Sequence, residues 1–179
     1  MSRTPLLQAA AAFFLGAALA LMQMSFFFML EVHVSSRADS YFTALFFWLV
    51  GFLVGLNLRG ARTFAALLLA APLAYYAALF AVGTWPYRLG LLPLVGACIA
   101  VCGAMAGSFF PWAQRGFPRA RLLFFHENNG FLAGLAAALL ASVYLGQALL
   151  DYAPLSLVPV VLLRGRALTG SGGSGDSGD

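Results

Sequence analysis

The chain has 179 residues, of which 62% are hydrophobic and 9% charged; an average soluble domain is roughly half apolar and a quarter charged. That surplus of apolar surface excludes a soluble fold, which could not cover it, and suits a bilayer, where outward helix faces must be apolar too. The net charge of +4 rests on ten basic residues, all Arg; they stand singly or in small groups between apolar runs, which excludes a nucleic-acid face and marks them as topology determinants.

A bilayer core of about 30 Å takes about 20 apolar residues as helix, and five runs reach that length. The first, Pro5 to Leu30, is interrupted only by Gln8, Gln23 and Ser25. Arg3, this stretch and Ala18-Leu19-Ala20 imitate a secretory signal with its cleavage site. The apolar run continues through Phe26, Phe27, Phe28 and Leu30, longer than a signal core of about 7–15 residues, so a retained first helix is expected. Just beyond it stand Glu31, His33, Arg37 and Asp39. With Arg88 and Asp151, which should reach the same side, they form a candidate outer-face cluster. It reads either as interfacial ion pairs, which are individually weak, or as the mouth of a site or a docking surface.

The second run, Tyr41 to Leu58, carries Gly51 and Gly55, with Asn57 at its inner end. The third covers Thr63 to Gly83 and is followed by Trp85 and Tyr87, an outer aromatic belt together with Tyr152; Trp112 falls near the inner one. The fourth, Leu89 to Trp112, contains Gly103 with Gly107 and Cys98 with Cys102. Two cysteines four apart on a helix have parallel side chains, poor geometry for a disulfide, and no further metal ligands lie nearby; they read as core residues. The fifth, Leu122 to about Ala148, holds Gly130, Gly134 and the polar string His126-Glu127-Asn128-Asn129. Each glycine pair opens a groove in which another helix backbone can approach closely, within the chain or from a partner. Glu127, an ionisable group at membrane depth, joins Asn57, His126, Asn128 and Asn129 in a candidate polar cluster. It either ties helices together by hydrogen bonds or binds a headgroup, a small ligand or a proton.

A sixth run, Leu149 to Leu163, is short and contains Asp151, Pro154 and Pro159; it reads as a tilted or broken span, or a segment that returns to its own side. With the N-terminus in the cytoplasm, Arg3, Arg59, Arg62, Arg115, Arg119 and Arg121 fall inside, and only Arg37 and Arg88 outside. A crossing sixth run adds Arg164 and Arg166 to the inside, so charge asymmetry favours six crossings with both termini in the cytoplasm. The expected architecture is an all-α polytopic bundle over residues 1–168. Residues 169–179, ending in GSGGSGDSGD, form a tail that cannot bury anything and is expected to be disordered.

No nucleophile with a base, phosphate loop or metal-ligand cluster occurs, and no cofactor is expected. A bis-histidine haem is disfavoured because His33 and His126 should lie near opposite faces, about 20 Å apart. Three segments together resemble the membrane domain of spermidine-synthase-like proteins. These are Glu31 through Ser40-Tyr41 to Gly51-Phe52-Leu53-Val54-Gly55-Leu56; Gly107-Ser108-Phe109-Phe110-Pro111-Trp112 followed by Arg115; and Asn129-Gly130-Phe131-Leu132-Ala133-Gly134. They cover roughly residues 25 to 150. The resemblance implies a helical bundle in which Glu31, Tyr41, Pro111 and Asn129 are structural. That family commonly fuses the bundle to a cytosolic aminopropyltransferase-like domain. The 179 residues hold no Gly-rich nucleotide loop followed by acidic residues, so no catalytic residue carries over. His126-Glu127 also replaces the family's tyrosine before the asparagine.

The function expected from these features is that of a non-catalytic membrane subunit anchoring or scaffolding a partner protein. The alternatives are a transporter with a polar site near Glu127, and an electron-transfer subunit associated with quinone or haem. Arg-only basic usage suggests a GC-rich bacterial genome and hence the bacterial cytoplasmic membrane.

Overall fold

A computed structural model describes residues 3–114 and 117–162. The described residues are helical nearly throughout, with five helices long and apolar enough to cross a membrane: α1 (Arg3–His33), α2 (Ala38–Asn57), α3 (Ala61–Thr84), α4 (Leu92–Ala113) and α5 (Ala120–Leu145). They match the five runs read from the sequence to within a few residues. Leu89–Leu91 forms a 3-10 turn ahead of α4. Pro93 lies in the first turn of α4, where its missing N–H costs nothing. Pro72 and Pro111 lie inside α3 and α4 without ending either helix.

Helix packing follows the glycines. A Cβ at Gly51 or Gly55 would overlap the backbone of Ala100 or Ala104, and one at Gly103 or Gly107 that of Trp48 or Phe52. Residue numbers rise together in these contacts, so α2 and α4 run parallel with their backbones touching. The same holds for α1 and α5, where Gly130 meets Phe13, Gly134 meets Ala17, and Gly16 meets the backbone of Glu127 and Phe131. All six glycines of the sequence pattern are therefore spent inside the chain. Gly16 completes the second contact; having no glycine four residues away, it carried no motif.

α3 joins antiparallel to α4, with the Cys102 thiol donating to the Ala71 carbonyl at 3.3 Å and Phe64 stacked on Trp112 at 4.7 Å. Both cysteines are unbridged, and Trp112 packs on α3 as well as lying near a helix end. α1 is the centre of the bundle: 56% of its most apolar window is buried, against 17% for α5. Its buried side chains Leu15, Met22, Phe26, Met29 and Leu30 form one core with Phe64, Tyr75, Ile99 and Phe109.

Two tight connections need backbone that side chains disfavour. Gly60, between α2 and α3, has φ of 141°, and Gly146, after α5, has φ of 52°; glycine adopts such angles without a Cβ penalty. At the same end of the bundle as Gly146, Tyr87 takes φ of 62°, held there by its N–H donating to the His33 carbonyl at 2.6 Å.

The sixth run is a short bent segment. α6 (Gln147–Tyr152) leads into a 3-10 turn at Ala153–Leu157 and a helical turn at 158–162. Over the described residues 147–162 the segment is irregular where Pro154 and Pro159 each remove an N–H donor. Pro154 orphans the Leu150 carbonyl, and the buried Tyr75 hydroxyl donates to it at 2.9 Å. The Leu155 carbonyl, orphaned by Pro159, accepts from the Val158 N–H. Leu157 and Val160 are buried in the common core. Irregular backbone at membrane depth is tolerated where protein satisfies it in this way. Arg115, Arg164, Arg166 and the tail 169–179 lie outside the described residues.

Two outcomes follow for stability in detergent. Gly107→Val should lower the unfolding midpoint markedly, by the ~1–3 kcal/mol typical of overpacking or more, because the obstacle is backbone. Gly83→Ala, with open space around it, should leave the midpoint nearly unchanged. Tyr75→Phe should cost about 1–3 kcal/mol, the usual penalty for stranding a buried carbonyl, and should speed proteolysis within 147–162.

Candidate functional site

The polar string on α5 is divided by the helix itself. Successive residues turn by 100°, so Glu127 faces α1 while Asn128 and Asn129 face outward. Glu127 is only 6% exposed and its backbone abuts Gly16; among the described residues its carboxyl has no hydrogen bond or ion pair. Asn129 donates back to the Phe125 carbonyl at 2.8 Å. Asn57 likewise donates to the Leu53 carbonyl of its own helix at 2.9 Å. His126 packs its ring against Phe117 and Phe125. Among the described residues the five thus form no shared hydrogen-bond network: Asn57 and Asn129 each bond to their own helix.

The outer-face group is similarly dispersed. Arg37 pairs with Asp39 at 3.1 Å, both well exposed, an arrangement worth little in water. Asp151 accepts from Gln147 at 3.3 Å, and its carbonyl accepts from the Tyr76 hydroxyl at 2.9 Å. Glu31 lies beside the Tyr41 hydroxyl, and Tyr41 stacks on Phe27, so this pair ties α1 to α2. The His33 ring sits 3.2 Å from the Met29 carbonyl, while Arg88 is exposed. These are local contacts along one rim of the bundle.

The α1–α5 register also separates the histidines. Phe13 is level with Gly130, so His126 is level with about residue 9 of α1. At 1.5 Å per residue His33 lies roughly 36 Å further along, more than the sequence suggested. One iron cannot take both imidazoles.

A cleft that the sequence did not reveal lies at the other end of the bundle, where α2 and α4 finish and α5 begins. It is half open, about 510 Å³ in volume, and lined by Leu56, Arg59, Phe110, Pro111, Gln114, Ala120, Leu123 and Phe124. Its apolar wall is the stack of Phe110 on Phe124, centroids 4.8 Å apart. Arg59 and Gln114 supply its polar side chains. Arg59 was read only as a topology charge and Gln114 not at all. Their convergence depends on α2 and α4 being parallel neighbours, a fact no local spacing encodes. Comparison of the chain with protein-family models, with curated proteins and with solved structures found no match.

Proposed function

We propose that this integral membrane protein is a non-catalytic subunit that anchors or scaffolds a partner protein in a bacterial cytoplasmic membrane, with its N-terminus inside. The observation that carries this reading is the outward stripe of α5. That helix packs mainly on α1. Its exposed positions recur with helical period through Phe125, Asn128, Asn129, Leu132, Leu139, Leu140 and Val143. Asn128 and Asn129 thereby place two amides on an otherwise apolar face about 12 Å along the helix from Ala120. Asn129 bonds once to its own helix, at the Phe125 carbonyl; lipid tails offer its remaining amide groups and those of Asn128 no partner, whereas a neighbouring helix does, and such side chains commonly join membrane helices. The resemblance to spermidine-synthase-like membrane domains supports the same reading, since there the bundle carries a separate cytosolic unit.

Purification in mild detergent should recover the chain with a second, stoichiometric polypeptide. Replacing both amides, Asn128→Leu with Asn129→Leu, should reduce that recovery several-fold without changing helical content. Recovery of the wild-type chain as a lone monomer contradicts the proposal.

A transport reading is favoured by one feature, the buried and unpaired Glu127 against α1. It requires solute flux into vesicles containing the purified chain, abolished by Glu127→Gln. The subunit reading expects no flux above empty vesicles.

A further inference from the structure

We propose that the cleft at the arginine-rich end binds an anionic phospholipid, with the headgroup phosphate at Arg59 and Gln114 and the upper acyl chain against Phe110 and Phe124. Its volume of about 510 Å³ is in the range of small-ligand sites, which combine an apolar lining with a few placed polar groups. Here the division is spatial. Leu56, Leu123, Phe110 and Phe124 make an apolar wall, while Arg59 and Gln114 contribute a cation and an amide.

Charge decides the sign of the headgroup. Arg59, Arg62, Arg119 and Arg121 all lie at this end of the bundle. Of the described carboxylates, Glu31, Asp39 and Asp151 belong to the opposite end, and Glu127 is buried in α5 against α1. Among the described residues Arg59 has no ion pair, so its positive charge is available to pair with a phosphate. Ala120, at the start of the 26-residue α5, also lines the cleft, and no side chain caps that terminus; the positive end of the helix dipole adds to the potential there.

Shape decides for a lipid over a free anion. α5 packs on α1 and only sparsely on α2 or α4, and the lining residues Leu56 and Phe124 are exposed on the outer surface of their spans, so the cleft's apolar wall is continuous with the face that meets acyl chains. A basic pocket between helix ends at the membrane surface is a general means of holding an anionic headgroup.

The test uses the full chain reconstituted in discs of phosphatidylcholine containing a minority of phosphatidylglycerol, followed by detergent extraction and counting of co-retained lipid by native mass spectrometry. The expected result is enrichment of phosphatidylglycerol over its share of the disc. Arg59→Gln should reduce that enrichment roughly fivefold, the effect of one surface arginine. Arg59→Lys should largely preserve it, and Arg88→Ala at the other end should not change it. Circular dichroism of each variant separates loss of binding from loss of folding, and Gln114→Leu gives a second, smaller loss if Arg59→Gln fails to fold. Equal retention of the two lipids, or full enrichment in Arg59→Gln, overturns the proposal. Displacement of the lipid by millimolar inorganic phosphate overturns its lipid part, identifying a free-anion site instead.

Discussion

In a bilayer, lipid tails contact a helix face about as well as another helix does, so burial of apolar surface alone cannot hold this bundle together. What distinguishes helix from lipid is close packing of backbone on backbone, and that requires residues with no side chain in the way. The chain supplies them in two places. Gly51, Gly55, Gly103 and Gly107 bring α2 onto α4, and Gly16, Gly130 and Gly134 bring α1 onto α5. Both pairs are parallel, so an intervening helix must run the other way: α3 returns the chain between α2 and α4. Its packing on α4, through Phe64 on Trp112 and Cys102 on Ala71, fixes the three helices as one unit.

The second unit, α1 with α5, is less symmetric. α1 is surrounded, whereas α5 has one main partner and a continuous outward stripe. The bent segment after Gly146 packs on α1 beside it, and the carbonyl of Leu150 that Pro154 leaves without its helical donor is satisfied there by the Tyr75 hydroxyl. Tyr75 also meets Phe26 of α1, with ring centroids 4.9 Å apart, so one side chain links α3, α1 and α6. The uncovered face of α5 and the cleft beside its first turn are what this packing leaves over, and both proposals about function arise there.

Much of the fold was legible in the sequence because membrane helices announce themselves by length and hydropathy, and loops by Arg and Gly. The bounds of α2 and α3 fall within a few residues of the apolar runs, and the glycine pairs named faces that are in contact. Partner assignment was not legible. A Gly-xxx-Gly groove states that something approaches closely, not which helix, and Gly16 lacked even that pattern. That Asn57, His126, Glu127, Asn128 and Asn129 share no hydrogen-bond network among the described residues has a related reason. Residues adjacent in sequence point to different sides of a helix, and asparagines near lipid satisfy themselves on the preceding turn, as Asn57 and Asn129 do. Tyr75 and Arg59 are ordinary residues until proline geometry and helix pairing give one an orphaned carbonyl and the other a cleft.

Parallel pairing of α2 with α4 and of α1 with α5 requires the connections to alternate between the two faces of the membrane. The most direct measurement is labelling of single cysteines by a membrane-impermeant maleimide in sealed vesicles, after Cys98 and Cys102 are replaced by serine and alanine. Cysteines at Arg37, Tyr87 and Gly146 should react from one side, and those at Arg59 and Phe117 only from the other. Labelling of the Arg59 and Tyr87 positions from the same side would contradict the crossing of α3, and with it the parallel contacts on which the bundle rests.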